Sequence, residues 1–76
     1  MTGHREAVAA IDGAMSTVTA WCDQVRQDAE RRMGLPAGAA SVIGDPWYQE
    51  ALEIYDDLTA LRRRMTDPRN GFTPTD

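Results

Sequence analysis

Apolar residues recur three and four positions apart along the first part of the chain. They fall at Val8, Ile11, Met15, Val18, Cys22, Val25 and Ala29. Steps of three and four place all of these side chains along one side of an α-helix, in the heptad pattern of helices that pack together. Ala7, Ala14 and Trp21 flank this stripe and widen it, which is typical of a helix in a bundle. The pattern predicts a helix over residues 3 to about 33.

A second pattern of the same period follows Pro46. Its apolar positions are Trp47, Ala51, Ile54, Leu58, Leu61 and Met65, with Tyr48, Leu52 and Tyr55 beside them. This pattern predicts a helix over residues 46 to about 66. Asp45 fits the N-cap of that helix, because its carboxylate can accept a hydrogen bond from an amide of the first turn, and Pro46 lacks the amide that would be unpaired there.

The connection predicted over residues 34 to 45 begins with a stop signal. Gly34 is placed at the left-handed position that ends many helices, and Pro36 prevents the helix from continuing. Val42 and Ile43 are apolar residues within the connection. The sequence leaves open whether these two residues cap the core or form a contact surface. Residues 67 to 76 are predicted to be a flexible tail.

These elements predict an all-α fold, a single-domain antiparallel hairpin of two helices. A chain of 76 residues buries little core, and its single cysteine excludes an internal disulfide. A second copy would complete a four-helix bundle, so we predict a homodimer. The predicted self-association surface comprises Val8, Ile11, Met15, Val18, Cys22, Val25, Ile54, Leu58 and Leu61.

The predicted lengths of the two helices differ. At a rise of 1.5 Å per residue the first helix is about 45 Å long and the second about 30 Å, so the N-terminal third of the first is expected to extend beyond the second. Val8 and Ile11 would then be uncovered unless Phe72 or a second copy packs on them.

Charge and composition narrow the class of function. The net charge of −4 argues against general affinity for nucleic acid or anionic lipid. All eight basic residues are arginine, which with the many Ala and Gly residues is typical of a high-GC genome such as that of an actinobacterium or its phages. The sequence contains neither an apolar run of about 20 residues nor a signal-peptide pattern, so we expect a cytoplasmic protein.

Aromatic and arginine residues of the second helix are the candidate partner contacts, since Trp, Tyr and Arg dominate the energetics of many interfaces. They are Trp47, Tyr48, Tyr55, Arg62, Arg63 and Arg64. The three arginines also allow an alternative hypothesis, a nucleic-acid-associated regulator. Glu50, Glu53 and Asp57 share one side of the helix and allow another, a small metal-dependent enzyme or enzyme subunit.

Catalytic chemistry has little support in the sequence. Cys22 lies at an apolar position with no activating partner nearby, and His4, the only histidine, is expected at the surface near a frayed helix end. We predict no catalytic residue, cofactor or bound metal. The sequence therefore favours a small protein-interaction module, an adaptor, regulator or inhibitor of phage or bacterial origin, over an enzyme.

Overall fold

The computed structural model describes residues 3 to 72 as two α-helices and two short 3-10 helices. Helix α1 spans His4–Met33 and helix α2 spans Pro46–Thr66. The 3-10 helices span Ala40–Gly44 and Pro68–Asn70. This part of the chain contains no β-strand, so the predicted all-α class is confirmed for it. None of its helices is long and apolar enough to cross a membrane.

The two α-helices pack side by side in opposite directions. Three side-chain hydrogen bonds join them at successive levels, from His4 to the carbonyl of Met65, from Arg62 to the carboxylate of Asp12, and from Cys22 to the carbonyl of Ala51. The residue number falls along α2 as it rises along α1. The described chain is therefore an antiparallel hairpin, and we call the end formed by residues 34 to 45 its closed end.

Helix α1 stops where the sequence places its stop signal. Gly34 adopts a left-handed conformation with φ 69°, and its amide donates to the carbonyl of Arg31 at 3.3 Å. The amide of Leu35 donates to the carbonyl of Glu30 at 2.8 Å. These paired bonds are the Schellman arrangement, which satisfies carbonyls that the last helical turn leaves unpaired. The prediction for Gly34 is confirmed.

Asp45 joins the closed end to both helices. Its carboxylate accepts a hydrogen bond from the Tyr48 amide at 3.0 Å, which confirms it as the N-cap of α2. The same carboxylate accepts two hydrogen bonds from the Arg32 guanidinium, at 2.9 and 3.3 Å. The bonds from Arg32 lower the pKa of the Asp45 carboxyl, although burial of the group opposes them. One side chain thus starts α2 and holds it against the end of α1.

A second buried carboxylate, that of Glu30, organises the connection. It accepts a hydrogen bond from the Gly38 amide at 2.6 Å, and the Arg26 guanidinium lies 3.9 Å from the same oxygen. Gly38 has φ 80°, a conformation that side chains other than glycine rarely adopt. The connection therefore folds back beside the last turns of α1, and it ends in the 3-10 helix that leads to Asp45.

The predicted N-terminal overhang of α1 is wrong. His4, the first residue of α1, already contacts Met65 near the end of α2, and Val8 and Ile11 are half-buried. The extra length of α1 lies at the closed end instead, because the connection returns along it before α2 begins. Val42 packs there and is buried.

The two apolar residues of the connection have different environments. Val42 is 6% exposed and belongs to the core, whereas Ile43 is 54% exposed. Val42 therefore caps the core, and Ile43 is accessible at the surface.

The core between the helices is made of small side chains. Its buried apolar residues are Cys22, Ala29, Val42 and Ala51, and no large side chain is fully buried within residues 3 to 72. Small residues at the contact let two helix backbones approach closely, but they bury little apolar area. The molecule measures 49 × 22 × 15 Å, so it is one layer of helices thick.

The beginning of the predicted tail folds back on α1. Asp67 accepts hydrogen bonds from the amide and side chain of Arg69, and Gly71 turns the chain with φ 76°. The ring of Phe72 then lies 6.3 Å from that of His4. His4 is half-buried rather than at the open surface as predicted, because this turn and Met65 cover it. Residues 73 to 76 of the predicted tail lie outside the described residues.

Replacing Asp45 tests its double role. Asp45→Ala removes the cap and the partner of Arg32, and we expect the melting temperature to fall by roughly 5 to 10 °C. Asp45→Asn keeps a capping oxygen and should cause a smaller fall. Thermal unfolding followed by circular dichroism measures both variants, and equal losses in the two would show that only the charge pair matters.

The lowered pKa of Asp45 also predicts a pH dependence of stability. A carboxyl whose pKa is lower in the folded chain stabilises the fold above its unfolded pKa of about 4, and this stabilisation is lost as the pH falls through the folded value. We expect acidification from pH 7 to pH 3 to lower the melting temperature more in the wild-type protein than in Asp45→Asn. Parallel falls in the two proteins would contradict this assignment.

Candidate functional site

The two broad sides of the hairpin differ in chemistry. On one side, which we call the polar side, Arg62 of α2 binds Asp12 of α1 across the groove between the helices. Nearer the closed end, Arg26 lies 3.9 Å from both Asp23 and Glu30 on α1. Ion pairs therefore follow this side for much of its length.

The opposite side carries large apolar side chains that nothing in the described chain covers. Trp21 of α1 is 45% exposed, and Trp47, Ile54 and Leu61 of α2 are 68%, 37% and 44% exposed. We call these four residues the apolar face. Solvent-exposed apolar groups that lie together, rather than singly, mark contact sites in many proteins.

Helical spacing places these four residues on the same side. Cys22 faces α2, and successive residues of a helix are 100° apart, so Trp21 and Asp23 project to opposite sides of it. Asp23 lines a hollow on the polar side. Trp21 therefore projects to the other side.

The same reasoning applies to α2. Tyr48, Leu52 and Tyr55 line the hollow on the polar side. Ile54 lies about 100° from Tyr55 around the helix, and Leu61 follows Ile54 by seven residues, two turns further along the same stripe. Trp47 lies seven residues before Ile54 and begins this stripe. Half-buried side chains form the floor of the apolar face between the helices, namely Ala7, Ala14, Val18, Val25, Leu58 and Met65.

The surface of the molecule is large for its mass. Its accessible area is 5497 Å², whereas a compact protein of 8.4 kDa exposes about 4,600 Å². Its radius of gyration is 16.2 Å, against about 11 Å for a compact domain of 76 residues. The hairpin thus exposes more surface, and is more extended, than a compact chain of its size.

The structure separates the aromatic residues that we predicted to share a partner site. Trp47 belongs to the apolar face. Tyr48 and Tyr55 are half-buried and line the hollow of about 270 Å³ on the polar side, together with Leu52 and Thr19. The reason is helix geometry. Tyr48 follows Trp47 by one residue and Tyr55 by eight, so both project about 80 to 100° away from Trp47 around the helix.

The predicted arginine cluster is also divided. Arg62 bonds to Asp12, which raises the pKa of its guanidinium, and is half-buried. Arg63 and Arg64 are exposed, and they lie about 100° apart around α2. Arg62 therefore joins the two helices, and the three arginines do not form one surface.

The predicted self-association surface is mostly occupied within the chain. Cys22 is buried against α2, and the half-buried members of the set are Val8, Ile11, Met15, Val18, Val25 and Leu58. Only Ile54 and Leu61 are exposed. Trp21 joins them on the apolar face, although its heptad position predicted only a flank of the stripe. The signal that could have identified it is its residue type, since tryptophan is enriched in the residues that dominate interfaces.

The acidic residues of α2 do not converge with other ligands. Within residues 3 to 72, no group of three or more His, Cys, Asp or Glu side chains could hold a metal ion, and this includes Glu50, Glu53 and Asp57. All three are exposed on α2. The arrangement gives the metal-dependent alternative no support.

Comparison with protein-family models, with curated proteins and with solved structures finds no match to this chain. Its function is therefore argued from its own geometry.

The thiol of Cys22 is a packing group in this arrangement. Its sulfur donates a hydrogen bond to the carbonyl of Ala51 at 3.3 Å, and burial, together with the charge of Asp23, raises the pKa of the thiol. Both effects reduce the fraction of reactive thiolate.

We therefore expect Cys22 to react slowly with a disulfide reagent in the folded protein. The rate at pH 7 should be at least about 30-fold lower than in denaturant, because reaction requires the hairpin to open. The absorbance of the released thiolate measures both rates. Comparable rates would show that the thiol is accessible and that the two helices do not enclose it.

Proposed function

We propose that this chain is a small protein-interaction module that acts through its apolar face and self-associates into a four-helix bundle. The observation that supports the proposal is the alignment of Trp21, Trp47, Ile54 and Leu61, all more than one third exposed, on one side of a hairpin one layer thick. The function we infer is that of an adaptor, regulator or inhibitor.

The dimensions of the apolar side suit an interface of ordinary size. The outline of 49 × 22 Å encloses roughly 1,000 Å², and a typical stable interface buries about 800 Å² on each partner. Tryptophan and large aliphatic side chains at the centre of such an area provide most of the apolar burial. A layer of two helices on this side would cover all four exposed residues.

A second copy supplies such a layer without any other partner. Two hairpins with their apolar faces together make a two-layer bundle, and the same residues serve both copies in an isologous interface. The surface excess of the single hairpin, about 900 Å² over a compact chain of its mass, supports this arrangement.

The closed end offers further contacts to a second partner. Met33, Ile43 and Trp47 are exposed there beside the ion pair that the exposed Arg32 forms with the buried Asp45. A dimeric bundle would leave Met33 and Ile43 available, so a regulator could bind its target at this end. We place the module in the cytoplasm, in keeping with its free cysteine, Cys22.

Charge substitutions on the apolar face test the proposal. Ile54→Asp combined with Leu61→Asp puts two carboxylates at the centre of the proposed interface, where they would be buried without partners. We therefore expect the solution mass to fall from about 17 kDa to the monomer value of 8.4 kDa. Light scattering at several protein concentrations measures the mass, and circular dichroism shows whether each variant remains helical.

Ala60→Asp is the matched control. Ala60 is exposed beside Leu61 but on the outer side of α2, so one added carboxylate there should leave the mass of the dimer unaltered, whereas Leu61→Asp alone should lower it. A wild-type protein that stays monomeric at every concentration would contradict self-association. A dimer that survives the double substitution would instead remove the apolar face from the interface.

A further inference from the structure

We infer that the second copy lies with its closed end at the opposite end of the bundle, so that α1 packs on α1 and α2 packs on α2. This inference rests on the proposed function, because it specifies how the partner is seated on the apolar face. Two hairpins can pair face to face with their closed ends together or apart, and two independent features of the sequence, charge and side-chain size, distinguish these arrangements.

The first feature is a stripe of charges beside the apolar face on α2. Glu50, Asp57 and Arg64 are seven residues apart and exposed, so they follow the same edge of the helix at intervals of about 10 Å. The stripe is acidic at the closed end and basic at the other end. When two α2 helices lie antiparallel and are centred near Asp57, Glu50 of each copy lies beside Arg64 of the other.

The alternative arrangement loses these pairs. With the closed ends together, α2 of one copy lies on α1 of the other at the same level along the bundle. The contacts of Cys22 with Ala51 and of Asp12 with Arg62 place Glu50 level with about residue 23 of α1. The exposed residues of α1 near this level, on the side of the apolar face, are Trp21 and Gln24, and neither is charged. The alternative therefore loses both pairs of Glu50 with Arg64 and offers Glu50 no cation in their place.

The second feature is the difference in size between two residues of one stripe on α1. Trp21 and Ala14 are seven residues apart on the same stripe, and Trp21 is exposed whereas Ala14 forms part of the floor. A two-fold axis midway between them, near Thr17, places each Trp21 over Ala14 of the other copy. Large side chains then fill the space above small ones, as close packing requires.

The same axis suits α2. The contacts of Asp12 with Arg62 and of Cys22 with Ala51 place Thr17 level with residues 56 and 57. This level is midway between Ile54 and Leu61, so Ile54 of each copy would meet Leu61 of the other. A single axis thus satisfies the packing of both helices and the pairing of Glu50 with Arg64. It also brings Asp57 near its own counterpart, at an exposed edge where water and salt screen the repulsion.

Disulfide trapping tests the orientation. In a Cys22→Ala background, Glu50→Cys and Arg64→Cys proteins are prepared separately, unfolded together, refolded and exposed to mild oxidant. We expect a cross-linked dimer in the mixture at a yield at least about tenfold above that of either protein alone, because only opposed closed ends bring these two positions within disulfide distance. Electrophoresis without reductant measures the yield.

The competing orientation has its own cysteine pair. A mixture of Glu50→Cys and Gln24→Cys proteins should cross-link only if the closed ends lie together, because Gln24 is exposed and nearly level with Glu50, and preferential trapping of this pair would overturn the inference. That result would leave the proposed function intact, because light scattering would still show a dimer. Monomeric protein in light scattering, with neither pair trapped, would overturn both the orientation and the self-association.

Discussion

The carboxylate of Asp45 is the constraint on which the hairpin depends. It accepts the Tyr48 amide at the start of α2 and the Arg32 guanidinium at the end of α1, so it fixes where α2 begins and which part of α1 it faces. The adjacent Glu30 carboxylate fixes the path of the connection by accepting the Gly38 amide. Both groups are buried, and a buried carboxylate is stable only when its hydrogen bonds are satisfied. The closed end therefore sets the register of the whole helix pair.

The register places small residues between the helices and large ones outside. Ala29 and Ala51 are fully buried at the contact, whereas both tryptophans remain substantially exposed. Close helix approach and a large buried core are competing demands in a two-helix layer, because a bulky residue at the contact would separate the backbones. The chain satisfies the first demand within the hairpin. The hairpin alone does not meet the second demand, and the proposed association through the apolar face would meet it.

The difference between the two sides favours a closed assembly. The bond between Arg62 and Asp12 occupies the polar side, so further hairpins gain little by stacking there. An association through only one side of a flat layer ends at two copies, since each apolar face is covered once. In the proposed bundle the exposed residues of the closed end, Met33 and Ile43, would stay at its two extremities and accessible to another protein.

The sequence by itself determined the local structure. The apolar period predicted two helices, and Gly34 and Asp45 predicted the end of one and the start of the other, because caps and periodicity depend on neighbouring residues. Which side of each helix faces its partner depends instead on contacts between residues distant in the chain. Only the tertiary structure separated Trp47 from Tyr48, bonded Arg62 to Asp12 and placed His4 beside Met65. A stripe of residues at heptad spacing specifies that a helix packs, but the size of the side chains at the contact decides which of them remain available to a partner.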